Sequence, residues 1–286
     1  MALVTTREML EDAYRNGYAV GAFGVHHLEG IRAVIAGAEA LGAPVILATT
    51  PGTIRYVGIE YLASMAKLAA EQAKVPVALH LDHGNSLEVV KQCLKAGYTS
   101  IMIDGSRLPF AENVRLVREA VQLAKECGVP VEAELGTIGG TEDDLHVEGS
   151  KAMFTDPELA AEFVRKTGID FLAPAFGTAH GKYKKEPKLD LQLLDEINRR
   201  VGIPLVMHGA SGVPAESLQA SLSFGISKVN FSTELKAAFV KELRNYLVLH
   251  PEEEDPRKYF IPARQAAERV VKEKISTISR KGATTC

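Results

Sequence analysis

Short runs of apolar, β-branched residues alternate along the chain with longer stretches in which apolar residues recur every three or four positions. The short runs are AVGAFGV (19–25), PVILAT (44–49), VPVALHLD (75–82), TSIMID (99–104), VPVEAEL (129–135), IDFLAPAF (169–176), IPLVMHG (203–209) and ISKVNFS (226–232). Nearly continuous hydrophobicity marks strands covered on both faces. The intervening stretches, such as LEGIRAVIAGAEALG and NVRLVREAVQLAKECG, read as amphipathic helices that close on glycine. Strand then helix, eight times over, predicts a parallel (β/α)8 barrel, an α/β fold of the TIM-barrel type. Lys74-Val75-Pro76, Gly128-Val129-Pro130 and Gly202-Ile203-Pro204 place proline at the start of a strand, where a missing N–H is tolerated.

No linker or low-complexity segment divides the eight units. The chain therefore reads as one barrel domain of 1–286, with the barrel over about 1–249 and a helical extension over 250–286. That extension is expected to pack across the barrel or against a second subunit. The connection TIGGTEDDLHVEGSKAMFTD (137–156) is too polar and glycine-rich for core, and a long irregular loop after strand 5 reads as a lid or a disordered tip.

Alternation along VPVALHLD turns Ala78, His80 and Asp82 inward and leaves Leu79 and Leu81 facing the helices. His83 follows at the mouth. Asp104 ends the fourth strand, Glu132 and Glu134 alternate inward on the fifth, His180 follows the sixth and His208 ends the seventh. His83, His180 and His208 thus come from three strands to one rim. Neutral imidazoles in that number suit a zinc-like divalent ion with a position left open for substrate or water. His80 lies deeper and reads as structural, whereas His26 and His27 follow strand 1 and are candidates to line the pocket. GASG (209–212) and NFST (230–233) follow the last two strands, where backbone N–H groups, hydroxyls and a helix N-terminus commonly bind phosphate. Gly209, Ser211, Asn230, Ser232 and Thr233 carry that chemistry.

A net charge of −3 argues against a nucleic-acid partner, although Lys182, Lys184 and Lys185 could meet a small anion. The longest apolar runs fall short of a membrane span, and the N-terminus lacks a secretory signal pattern. A cytoplasmic protein with no membrane partner is expected. Three distant cysteines, Cys93, Cys127 and Cys286, without CxxC spacing, read as reduced structural thiols.

LHLDHG, MIDGS, VEAELGTIGGTEDD, GTAHG, HGASG and KVNFSTELK together resemble the class II, metal-dependent ketose-bisphosphate aldolases over nearly the whole chain. TPGT (50–53), LPFAENV (108–114) and DPRKY (255–259) are most similar to the tagatose-1,6-bisphosphate aldolase branch. The resemblance implies reversible cleavage of D-tagatose 1,6-bisphosphate to dihydroxyacetone phosphate and D-glyceraldehyde 3-phosphate. It implies one catalytic Zn2+ on His83, His180 and His208, Asp82 as acid/base, and Glu142 in the lid moving a proton on the dihydroxyacetone-phosphate carbon. Asp104 and Glu134 match acids in supporting or alternative metal roles. Gly181, Gly209, Ala210, Ser211, Asn230, Phe231, Ser232 and Thr233 match the phosphate site, with a monovalent cation, Na+ or K+, beside it. A homo-oligomer, dimer or tetramer, is implied, and relatives in this branch can depend on a companion subunit.

Relatives usually carry asparagine where this chain has Gly24 in FGVHH, and often at His27 as well. Fructose 1,6-bisphosphate, another phosphorylated ketose, or epimerisation by cleavage and re-addition are therefore alternatives. A metal-dependent hydrolase and a non-catalytic subunit are the alternatives from other classes.

Overall fold

The computed structural model describes residues 2–142, 145–147, 153–181, 183 and 185–279, and of 141, 142 and 145–147 it describes the backbone. In chain order the elements are α1 (Thr6–Asn16), β1 (Val20–Gly24), α2 (Leu28–Ala40), β2 (Val45–Thr49), α3 (Pro51–Val57), α4 (Ile59–Gln72), β3 (Val77–Gly84) and α5 (Leu87–Ala96). There follow β4 (Ser100–Ile103), α6 (Phe110–Glu126), β5 (Val131–Leu135), β6 (Gly139–Glu142), β7 (Leu145–Val147), α7 (Pro157–Thr167), β8 (Phe171–Pro174) and β9 (Ala179–His180). The chain closes with α8 (Leu191–Val201), β10 (Leu205–Met207), α9 (Ala215–Leu222), β11 (Ile226–Phe231), α10 (Thr233–Leu249) and α11 (Pro256–Ile278).

Eight strands form a closed parallel barrel in the order β1-β11-β10-β8-β5-β4-β3-β2. Seven fall within predicted runs, and β3 continues two residues past the end of its run, through His83 and Gly84. The prolines sit one residue ahead of their strands, and the Pro76, Pro130 and Pro204 carbonyls accept from Val45, Ile101 and Leu172 of the neighbouring strands. Proline thus joins the sheet through its acceptor alone. Several helices start where a side-chain oxygen accepts from a free backbone N–H: Ser86 from Val89, Asp156 from Leu159 and Asp190 from Leu193.

Alternation sorts the strand residues into two apolar layers. Leu47, Leu79, Leu81, Ile101 and Ile103 pack outward against the helices. Val20, Ala22, Ile46, Ala78, Phe171 and Val206 face inward and meet Met9, Leu10 and Ala13 of α1, which closes the N-terminal end of the barrel. The site is thereby left to the C-terminal end. α11 packs beside α2 and α10, and its Ile278 carbonyl accepts from Ala19 N at 3.0 Å.

The connection after β5 departs from the expected irregular loop. β6 pairs antiparallel with β7 and parallel with β9, a three-stranded sheet standing outside the barrel. Its short strands gave no period long enough to read. Among the described residues no helix is long and apolar enough to cross a membrane.

Leu10 is fully buried in the floor of the barrel. Leu10→Ala is expected to cost about 2–5 kcal/mol in urea unfolding, whereas Leu68→Ala, at an exposed position, should stay within about 0.5 kcal/mol. Equal effects would mean that α1 does not plug the barrel.

Candidate active site

β3 delivers two functional side chains in succession, which a regular strand cannot do. The register against β4 slips between Leu81 and Gly84, and His83 has φ +47°, the one positive value among described non-glycine residues. A bulge with a left-handed residue turns His83 toward the same mouth as Asp82, at a cost of about 1–3 kcal/mol in backbone strain. Contacts hold it there. His83 Nδ1 lies 2.9 Å from Asp104 Oδ2 at the end of β4, and Asp104 Oδ1 accepts from Ser106 N at 2.9 Å. Burial pushes the Asp104 carboxyl up, but the His83 bond and charge, with the Ser106 amide, outweigh it and hold it below the usual carboxylate range.

His180 ends β9 and His208 follows β10. The His83 ring stands edge-on to both, with centroids 5.1 Å from His180 and 4.7 Å from His208. One nitrogen from each of the three lies within 4.8 Å of the others. His208 Nε2 is 2.7 Å from Glu132 Oε1, and His208 Nδ1 is 2.9 Å from His83 Nε2. Carboxylates accept only, so His83 carries its proton on Nδ1 and His208 on Nε2. The two facing nitrogens then present lone pairs to each other. Burial keeps His208 from protonating readily. This donor set fits a divalent cation, with carboxylates orienting the imidazoles from behind as they do around bound metal.

A second group within 4.8 Å joins His83 to Asp104 and Glu134. Burial and the neighbouring Asp104 charge push the Glu134 carboxyl well up. Its Oε1 accepts from Ile138 N at 3.4 Å, and its buried Oε2 has no hydrogen-bond partner among the described residues.

Beside the histidines opens a narrow cleft whose walls include Asp82, His180, Gly181, Gly209, Ser211, Asn230, Phe231, Ser232 and Thr233. Asn230 Nδ2 lies 3.1 and 3.3 Å from the two Asp82 oxygens, fixing that carboxylate. Phe231 stacks its ring on Phe23 at 5.6 Å in the outer layer, leaving its backbone to the cleft. Ala210 does not line it; its side chain is buried in the outer core. Gly24 does. A β-carbon there would lie 2.6 Å from Ser232 Oγ, so a larger residue would have to displace Ser232.

His26 and His27 do not line the cleft. His26 Nδ1 bonds Thr53 Oγ1 at 2.6 Å, and His27 caps α2 by accepting from Gly30 N at 3.1 Å while its ring packs on Phe239. His80 sits below the trio, between Ser100 and Lys228. Burial pushes the Cys93 thiol up to about 12, Cys127 is exposed, and Cys286 lies outside the described residues. So do Lys182, Lys184 and the side chain of Glu142, whose backbone ends β6.

Three residues went unread as site partners in the sequence: Tyr183, Asn113 and Lys228. Tyr183 Oη donates to Gly209 O at 2.8 Å and accepts from Ala179 N at 2.7 Å, tying β9 to the loop after β10. Asn113 of α6 is buried and donates to Glu134 O at 3.1 Å. Neither has a local signal, whereas Lys228 does: two positions before Asn230 on β11, it shares the inward face.

Closed parallel barrel, rim histidines and loop cradle define a (β/α)8-barrel enzyme with its site at the C-terminal ends of the strands. The chain belongs to the class II fructose-bisphosphate aldolase family: the family described as "Fructose-bisphosphate aldolase class-II" matches residues 4–283. It is therefore a carbon–carbon lyase of a generally metal-dependent family acting on a sugar phosphate. It is similar to the YdjI aldolase from Escherichia coli K12, with 35% identity, 98% of each chain covered and a TM-score of 0.86. A putative fructose-1,6-bisphosphate aldolase from Coccidioides immitis is 33% identical over 96% of each chain, with a TM-score of 0.89. The fructose-bisphosphate aldolase of Campylobacter jejuni shares the fold, at 22% identity, 97% of this chain and 95% of that one, with a TM-score of 0.82.

β6 and β9 are paired with Gly140 opposite His180, and Gly140 has φ +103°. A β-carbon on Gly140 would fall 2.1 Å from His180 O. Gly140→Ala should therefore loosen the sheet that carries His180, making the His180 amide exchange at least about tenfold faster. Gly42→Ala, at φ +60° with nothing within 4 Å, carries a left-handed backbone penalty without the contact and should leave that amide unchanged. Equal exchange in both variants would contradict the coupling.

Proposed function

We propose that this class II aldolase reversibly cleaves D-tagatose 1,6-bisphosphate to dihydroxyacetone phosphate and D-glyceraldehyde 3-phosphate, with one Zn2+ held by His83, His180 and His208. One juxtaposition carries the reading: Asp82, His180 and the loops after β10 and β11 line a single cleft. TPGT, LPFAENV and DPRKY support the tagatose substrate. The family's description and that of the Coccidioides immitis protein favour fructose 1,6-bisphosphate as a second reading.

A divalent cation held by His83, His180 and His208 would supply Lewis-acid stabilisation for the negative charge on the ketose oxygens. The remaining work falls to side chains. Gly181, the loop Gly209–Ser211 and the segment Asn230–Thr233 bind the phosphate of the dihydroxyacetone half, with Na+ or K+ beside it. Asp82, held by Asn230, takes the proton from the C4 hydroxyl as the aldehyde forms. Glu142, on the strand paired with β9, delivers a proton to C3 of the other half. Asp104 orients His83, and Glu134 offers a supporting or alternative ligand. Exposed Val240, Val248 and Leu249 on α10 support assembly as a homo-oligomer, dimer or tetramer; a cytoplasmic setting completes the reading.

Cleavage of tagatose and fructose 1,6-bisphosphates is to be compared on zinc-loaded protein, after EDTA and after zinc is restored. Loss and recovery with zinc, and a faster rate on tagatose, are expected; a faster rate on fructose transfers the reading to that sugar, and metal-independent cleavage refutes it. Asp82→Ala should keep its zinc and lose at least about a hundredfold in turnover. Loss of zinc together with activity would make Asp82 a ligand instead.

A further inference from the structure

Below the histidines lies a charged pair that the aldol chemistry does not use. Glu132 of β5 and Lys228 of β11 are fully buried, with Nζ 2.8 Å from Oε2. Two charges taken out of water are seldom worth more to stability than an apolar pair of the same volume. The inner layer just beneath is filled with such residues, Ala78, Phe171 and Val206 among them. The pair therefore calls for a task other than holding the barrel together.

Its contacts define one. Lys228 Nζ also lies 3.3 Å from His80 Nε2, His80 Nδ1 lies 2.8 Å from Ser100 Oγ, and Thr6 of α1 donates to the same oxygen at 2.9 Å. An ammonium can only donate. His80 Nε2 must then accept, its proton sits on Nδ1, and Ser100 receives it. Glu132 gives Oε2 to the lysine and keeps Oε1 for one further donor, His208 Nε2–H at 2.7 Å. Proton positions are thus fixed in sequence from the floor of the barrel to its mouth.

We infer that the buried Glu132–Lys228 pair is a positioning device that locks His208 in its Nε2–H form, so that the Nδ1 lone pair faces His83 and His180. Its purpose rests on the metal-centre reading above; its geometry does not. Lysine anchors one carboxylate oxygen so that the other cannot turn away from the imidazole. A glutamine could not replace the glutamate, because two donors would compete for a single oxygen. With the lysine claiming that oxygen, the amide NH2 faces His208, Nε2 must accept, and the proton moves to Nδ1 where the cation should bind.

Glu132→Gln is nearly isosteric and tests this directly. Imidazole tautomers are read from long-range 1H–15N spectra of metal-free protein, and zinc affinity by competition with a chromophoric chelator. Wild type should show His208 as Nε2–H. E132Q should show Nδ1–H and bind zinc about tenfold to a hundredfold more weakly. The double variant K228M/E132Q removes the competing donor, returns the amide oxygen to His208, and should restore both the Nε2–H form and zinc affinity to within about threefold of wild type. A pair that served stability alone would give no such rescue.

The inference is overturned if wild type carries the Nδ1–H form, if E132Q keeps Nε2–H with unchanged affinity, or if the folded double variant fails to recover. Wild type with Nε2–H that binds no zinc would instead refute the metal-centre reading and leave the positioning role standing.

Discussion

Two imidazole nitrogens held 2.9 Å apart, each without a proton because the ring's other nitrogen carries it toward a carboxylate, are the constraint around which the mouth of this barrel is arranged. Nothing in a neutral, apolar interior favours that approach, since the two lone pairs repel. It is enforced from three sides. Asp104 holds His83, Glu132 holds His208, and the left-handed backbone at His83 brings its ring to the rim. Such local strain persists where surrounding structure over-determines it, and here the surroundings are a closed sheet and the buried Glu132–Lys228 pair. A divalent cation bound between them would turn that repulsion into ligation.

The same centre reaches outward through the segment that bears His180. β9 pairs with β6, so the backbone that carries Glu142 is built onto the backbone that carries His180. Tyr183 ties β9 to Gly209. The three histidines, β6 and the loop after β10 are therefore one mechanical unit.

Much of this was legible in the residues. Eight buried runs separated by amphipathic helices sufficed for the barrel, and alternation alone turned His80 and Asp82 inward. Polar residues at strand ends pointed to the rim. What stayed hidden depends on contacts far apart in sequence or on local breaks in periodicity. Alternation would send His83 to the opposite side from Asp82, and only the bulge corrects it. His26 and His27 read like pocket residues from their place after β1, yet Thr53 and the first turn of α2 claim them. Ala210 stands in a phosphate motif but spends its side chain on the core. β6 and β7 are too short and too polar to announce themselves, and Lys228 lay on the inward face of β11 without drawing notice.

Gly24 shows the remaining degree of freedom. A β-carbon at this point of the cleft wall would lie 2.6 Å from Ser232 Oγ, so a side chain here and the present place of Ser232 exclude each other. The centre itself is the claim that matters most. Zinc K-edge X-ray absorption of the metal-loaded protein tests it directly: three imidazole nitrogens at about 2.0–2.1 Å, with the outer-shell scattering of histidine rings, are expected. A spectrum with oxygen ligands alone, or with fewer than two imidazoles, would contradict the account.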